Sequence, residues 1–278
     1  MPLPAETTSH AGGSLLDSTP EVDAGWSGHN HTVFHRRHRL VATIDLDNPL
    51  RGIGYQRDEG CLGQDAASAR AGDRRHQAAG DHAADRLLGL DMRSESRLSD
   101  HWVRGLDAMA VYEPLDARRL RATAMWRVLP PLAHETAWEL VVSAQTSLEQ
   151  SDSSLRVVAD VNAQTLLWGR QIDGTTAWSN QSSVDATCVL MRSNQPVAEF
   201  AAALSVLVAV HPADLRRLRV EHRGDRALVE CWLFSSTVEK GVLLRSRVLA
   251  AVGPSVGDTD WATPLADRFA ASAPILSA

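Results

Sequence analysis

Among 28 basic residues there is a single lysine, Lys240, so the other 27 are arginine. Selection for planar, bidentate anion recognition would give that bias, and so would codon choice in a genome rich in G and C, which needs no function at all. Aromatics are scarce and lopsided, with two Tyr and four Phe against eight Trp. The three cysteines, Cys61, Cys188 and Cys231, are odd in number and widely spaced. They exclude a disulfide framework and a CxxC pair, and they fit a reducing, cytoplasmic setting. No apolar run approaches the ~18 residues of a membrane span, and the first 25 residues lack the basic and apolar regions of a secretory signal. No membrane partner is therefore expected. A net charge of −6 and a pI near 6.0 argue against generalised nucleic-acid binding. Neither G-x-G-x-x-G nor GxxxxGK occurs, nor does G-x-S-x-G, H-E-x-x-H or S-x-x-K. No cofactor is expected.

What is present is strand text. From Trp102 onward, short apolar runs such as "RLRATAMWRVL", "ETAWELVVSAQTSL", "LRVVADV" and "RALVECWLFSS" are separated by turn chemistry. That pattern, without βαβ alternation, predicts a mostly β chain: an antiparallel β-sandwich or barrel over residues 99–252. Residues 1–37 read as a flexible N-terminal tail, and 38–55 as a first strand and turn. Residues 56–98 read as a low-order Ala/Arg-rich insertion, interrupted by Gly72 and Gly80. Residues 253–278 hold a short C-terminal helix, with Asp258 or Thr259 as N-cap and Trp261, Leu265 and Phe269 on one face. "AVYEPLDARRLR" at 110–121 and "AVHPADLRRLR" at 209–219 raise an internal duplication of 102–161 in 201–252.

The candidate sites follow from residue type and spacing. Asp173-Gly174 marks a hairpin. A two-residue turn would put Trp168 and Trp178 on opposite faces. A three-residue loop would gather Trp168, Arg170, Trp178 and Asn180 into an aromatic platform for a sugar ring, a peptide or a base. In "HPAD", His211 and Asp214 could meet in a turn as the acid–base pair of a hydrolase or lyase. His29, His31, His35 and His38 could hold a metal, although Arg36, Arg37 and Arg39 would repel it. Trp102, Trp126, Trp138 and Trp232 read as core. The leading expectation is a non-catalytic β-domain that binds or scaffolds, with a carbohydrate, peptide or protein as partner, or a second copy in a homodimer.

Overall fold

The computed structural model describes residues 25–37, 40–57, 84–131, 135–193 and 203–275. The first strands are β1 (Ser27–His29), β2 (Thr32–Arg37), β3 (Leu40–Asp45), β4 (Ile53–Arg57), β5 (Arg86–Asp91), β6 (Ser96–Arg104) and β7 (Asp107–Pro114). They continue as β8 (Leu120–Leu129), β9 (Thr136–Thr146), β10 (Gln150–Asp152), β11 (Leu155–Asn162), β12 (Thr165–Ile172) and β13 (Thr175–Ser179). The last are β14 (Cys188–Arg192), β15 (Leu204–Val210), β16 (Arg217–Arg223), β17 (Arg226–Leu233), β18 (Thr237–Glu239) and β19 (Leu244–Pro254), followed by the helix α1 (Asp258–Ala271). One sheet of eight strands runs β1-β2-β3-β4-β5-β11-β17-β16, and one of nine runs β13-β12-β14-β15-β19-β9-β8-β7-β6. The chain is thus mostly antiparallel β and sandwich-like, as its alternating text predicts.

Alternation decides what lies between the sheets. Along β8, Leu120, Ala122, Ala124, Trp126 and Val128 are buried while Arg121, Thr123, Met125 and Arg127 face out. Trp126 and Trp138 sit fully buried in the core with Ile44, Leu46, Ile53 and Leu155. Two buried indole N–H groups find backbone acceptors: Trp126 donates to the Leu88 carbonyl at 3.1 Å, and Trp26 to the Trp126 carbonyl at 3.0 Å. Leu88 takes a left-handed φ of 53°, and Gly89 beside it lets the Leu50 carbonyl approach to where a Cβ would be 2.2 Å away.

Central strands of the nine-stranded sheet are buried on both faces. β14, β15 and β19 read "CVLMR", "LSVLVAV" and "LRSRVLAAVGP", because α1 covers their outer side with Trp261, Leu265 and Phe269. The N-cap differs from expectation. Gly257, left-handed at φ 66°, occupies that position, and Asp258 is the first helical residue. The Asp258 carboxylate accepts from the Arg192 guanidinium at 2.6 and 2.7 Å and from Ser205 Oγ at 2.7 Å, so it fixes the helix start to β14 and β15.

Three segment expectations need correction. Residues 25–37 are not tail: Val33, His35 and Arg37 alternate inward along β2, and Trp26 is buried. Residues 84–98 are not insertion: β5, with Leu87, Leu88 and Leu90 buried, is an inner strand of the eight-stranded sheet. Residues 1–24 and 58–83 lie outside the described residues. The echoed phrase is not one structural unit used twice. Residues 110–121 form the β7–β8 hairpin within one sheet, whereas 209–219 leave β15 in the nine-stranded sheet and enter β16 in the other.

Candidate functional site

The β12–β13 hairpin closes on a two-residue turn, with Ile172 paired to Thr175 and left-handed φ of 50° and 81° at Asp173 and Gly174. Gly169 therefore opposes Trp178 and Trp168 opposes Ser179, so the two Trp face opposite ways. Trp168 packs on the inter-sheet core and Trp178 beneath α1, where its indole N–H donates to Thr263 Oγ1 at 2.9 Å. Thr176 donates to Asp267 through both its N–H and its hydroxyl. Arg170 and Asn180 are exposed but do not join a common aromatic face. The hairpin is a clamp for the helix, and the four-residue platform is not formed.

His211 and Asp214 are brought close but built differently from an acid–base pair. His211 is 4% exposed. Its Nδ1 accepts from the Ala213 N–H at 3.3 Å, which leaves Nε2 as donor to the Ser272 carbonyl at 3.0 Å. Asp214 accepts instead from the Arg247 backbone N–H at 3.2 Å. Burial pushes the Asp214 carboxyl above its usual range, opposed by His211 and Arg247. The Arg247 guanidinium bonds to Ser272 and Ala273. This cluster ties the end of α1 to the β15–β16 corner.

The histidines do not converge. His29 is exposed, His31 pairs with Asp47 at 2.7 Å, and His35 is buried between the rings of Trp26 and Trp138. His38 lies outside the described residues. Among the described residues no group of three or more His, Cys, Asp or Glu is placed to share a metal ion.

A different surface emerges on the outer side of the nine-stranded sheet, over β6 to β9. Trp102 pairs with Met109, Met109 with Met125 and Met125 with Val141, which sets four apolar side chains in one row across four strands. Trp102 is 41% exposed, and the other three are partly exposed. On one side runs a charged row, Arg104, Asp107, Arg127 and Glu139; on the other comes the mixed row Asp100, Val111, Thr123 and Ser143, and beyond it Arg97, Glu113 and Arg121. Arg127 grips Asp107 with two bonds of 2.7 and 3.0 Å, and Arg121 reaches Glu113 at 2.9 Å. The Asp107 carboxylate pushes the Arg127 guanidinium further up. Burial raises the Glu139 carboxyl, against the pull of Arg247 and Arg127. In the other sheet Trp232 also faces outward, but the guanidinium carbons of Arg93 and Arg156 cover its ring at 5.0 and 5.2 Å. Neither Trp102 nor Trp232 is core, contrary to the sequence expectation. The available signal was the text of β6, "SRLSDHWVR", in which Trp102 shares its parity with Asp100 and Arg104 rather than with Val103.

No protein-family model matches the chain, and no curated protein matches it. Among solved structures it is similar to a heparinase III with methylated lysines, at 10% identity and a TM-score of 0.41 over 84% of this chain and 36% of that one. It is also similar to a kojibiose phosphorylase candidate from the human microbiome, at 7% identity and a TM-score of 0.36 over 82% and 29% of the two chains. The chain thus spans about a third of the length of either protein. Both are too distant to assign a family or a function.

Proposed function

We propose that the chain is a non-catalytic interaction domain that binds a protein surface through the outer face of β6 to β9. The observation that carries this reading is the Trp102–Met109–Met125–Val141 row, apolar at its centre and framed by ion pairs. An apolar patch rimmed by charge is the usual anatomy of a contact site. Met side chains adapt to an apolar protein surface, whereas a sugar site would favour a second ring and converging polar groups. His211 has both ring nitrogens committed to backbone groups, which favours binding over hydrolysis or elimination at that corner.

No helix among the described residues is long and apolar enough to cross a membrane. Cys188 and Cys231 are free, and free thiols favour a cytoplasmic location. The test is a photo-crosslinking residue at Met125, with the exposed Ile172 as control, in cells that produce the protein. Adducts are expected from position 125 and not from 172. Equal yields from both, or none from 125, would sink the reading.

A further inference from the structure

We infer that the partner on this face is a second copy of the chain, related by a two-fold axis that runs along the strands between β7 and β8. This rests on the proposed reading of the face as a contact surface. A two-fold interface must be self-complementary, each residue i meeting j while j meets i. The described register allows that to be checked row by row.

In the apolar row, the axis sets Trp102 against Val141 of the second copy and Met109 against its Met125. In the charged row above it, Asp107 meets Arg127 of the second copy, and Arg104 comes over its Glu139, which is only 8% exposed, so the Asp107–Arg127 contact carries this row. In the row directly below, Val111 meets Thr123 of the second copy and Asp100 meets its Ser143, whose hydroxyl can donate to the carboxylate. One row further, Glu113 meets Arg121 of the second copy and Arg97 meets its Gln145. No acid faces an acid and no arginine faces an arginine. Asp107–Arg127 and Glu113–Arg121 are already pairs within one chain, so the second copy would extend each into a four-charge network. Such alternation fixes register and rejects wrong partners.

The other in-plane axis, along the apolar row itself, fails the same check. It would lay Asp107 over Val111 and Arg127 over Thr123, burying charges without partners. Reach is adequate for the first axis. The row spans roughly 14 Å at the usual strand spacing, and the turn of about 30° between aligned sheets displaces its ends by roughly 4 Å, within the swing of an arginine.

The decisive experiment is a charge exchange read by sedimentation equilibrium. Wild-type protein is expected to show a concentration-dependent monomer–dimer equilibrium. Asp107→Arg alone, and Arg127→Asp alone, should each weaken it by about tenfold or more, since each homodimer then opposes like charges twice. Mixing the two variants should restore association, because in the heterodimer both contacts again join opposite charges. Glu113→Arg with Arg121→Glu repeats the exchange on the other row, so misfolding of one variant leaves the test intact. A wild type that stays monomeric, or variants that do not recover on mixing, overturns the second copy. Crosslinks from Met125 separate the two failures. Adducts to a different protein keep the contact face and discard the second copy, and no adducts at all discard the face itself.

Discussion

Over β14, β15 and β19 the outer face of the nine-stranded sheet carries Leu190, Leu207, Leu249 and Ala251, and α1 seals all four from water. Over β6 to β9 that same face carries Trp102, Met109, Met125 and Val141, and among the described residues nothing seals them. The difference is written into the strands. Where the helix lies, both faces are apolar and the text is a continuous run such as "VLVAV". Where it does not, inward Ala and Trp alternate with a polar-flanked outer row. The single apolar row has the charged Arg104, Asp107 and Arg127 on one side and the mixed row of Asp100, Val111, Thr123 and Ser143 on the other. It is too narrow to be a buried layer within one chain and wide enough to be the centre of a contact between chains.

If that contrast is right, truncation on the covered half costs stability and truncation on the open half costs association. Trp261→Ala should show the largest effect. Its ring packs against Gly253, where a Cβ would meet it at 2.7 Å, and its indole N–H donates to the Pro254 carbonyl at 2.9 Å. Loss of a buried Trp costs about 4 kcal/mol, read as a lower urea midpoint. A change below about 1 kcal/mol would mean that α1 is not an integral layer. Arg192→Ala comes next, because it strips the buried Asp258 carboxylate of its two-bond partner. The expected cost is about 3 kcal/mol.

The antiparallel β character was legible from alternation, and the helix from the i, i+4, i+8 spacing of Trp261, Leu265 and Phe269. Other parts were hidden for definite reasons. β5 sits in Ala/Arg-rich text, and only "LLGL" betrays it; its left-handed Leu88 and close-packed Gly89 break the alternation that would announce a strand. β2 is obscured by His35 and Arg37, polar residues that point inward. Asp173-Gly174 announces a hairpin, but only the pairing of 172 with 175 settles which faces Trp168 and Trp178 take. The echo at 110–121 and 209–219 shows the converse limit. Two similar strings form a hairpin in one place and a crossing between sheets in the other, because the strand neighbours lie far away in sequence.

On the open half, Met125→Ala should lower monomer stability by no more than about 1 kcal/mol, since the side chain is already partly in water. Its effect belongs in association instead: at the centre of the proposed contact, truncation should weaken dimerisation by about tenfold. Comparing the urea midpoint with the dissociation constant for Met125→Ala and Trp261→Ala gives the sharpest form of the contrast. The comparison breaks if Met125→Ala moves stability as much as Trp261→Ala does.

The smallest expected effect lies at Glu139, where the two halves meet between Arg127 and Arg247. Burial holds its carboxyl above the usual range, so the folded chain binds this proton more tightly than the unfolded chain does. In the interval from the ordinary carboxylate pKa near 4 up to the raised one, the folded state carries the extra proton. The contribution is therefore fully present at low pH and is lost as pH rises through the folded value. Asp85 and Asp214 are raised by burial too and act in the same direction. Glu139→Gln removes one of the three, so its stability should fall less steeply than wild type as pH climbs from 4, by under about 1 kcal/mol across the interval. Thermal unfolding of both proteins at a series of pH values gives the two slopes. A steeper fall in the variant would mean that the pull of Arg247 and Arg127 outweighs burial, and that Glu139 belongs with the ion pairs of the open face rather than with the buried layer under α1.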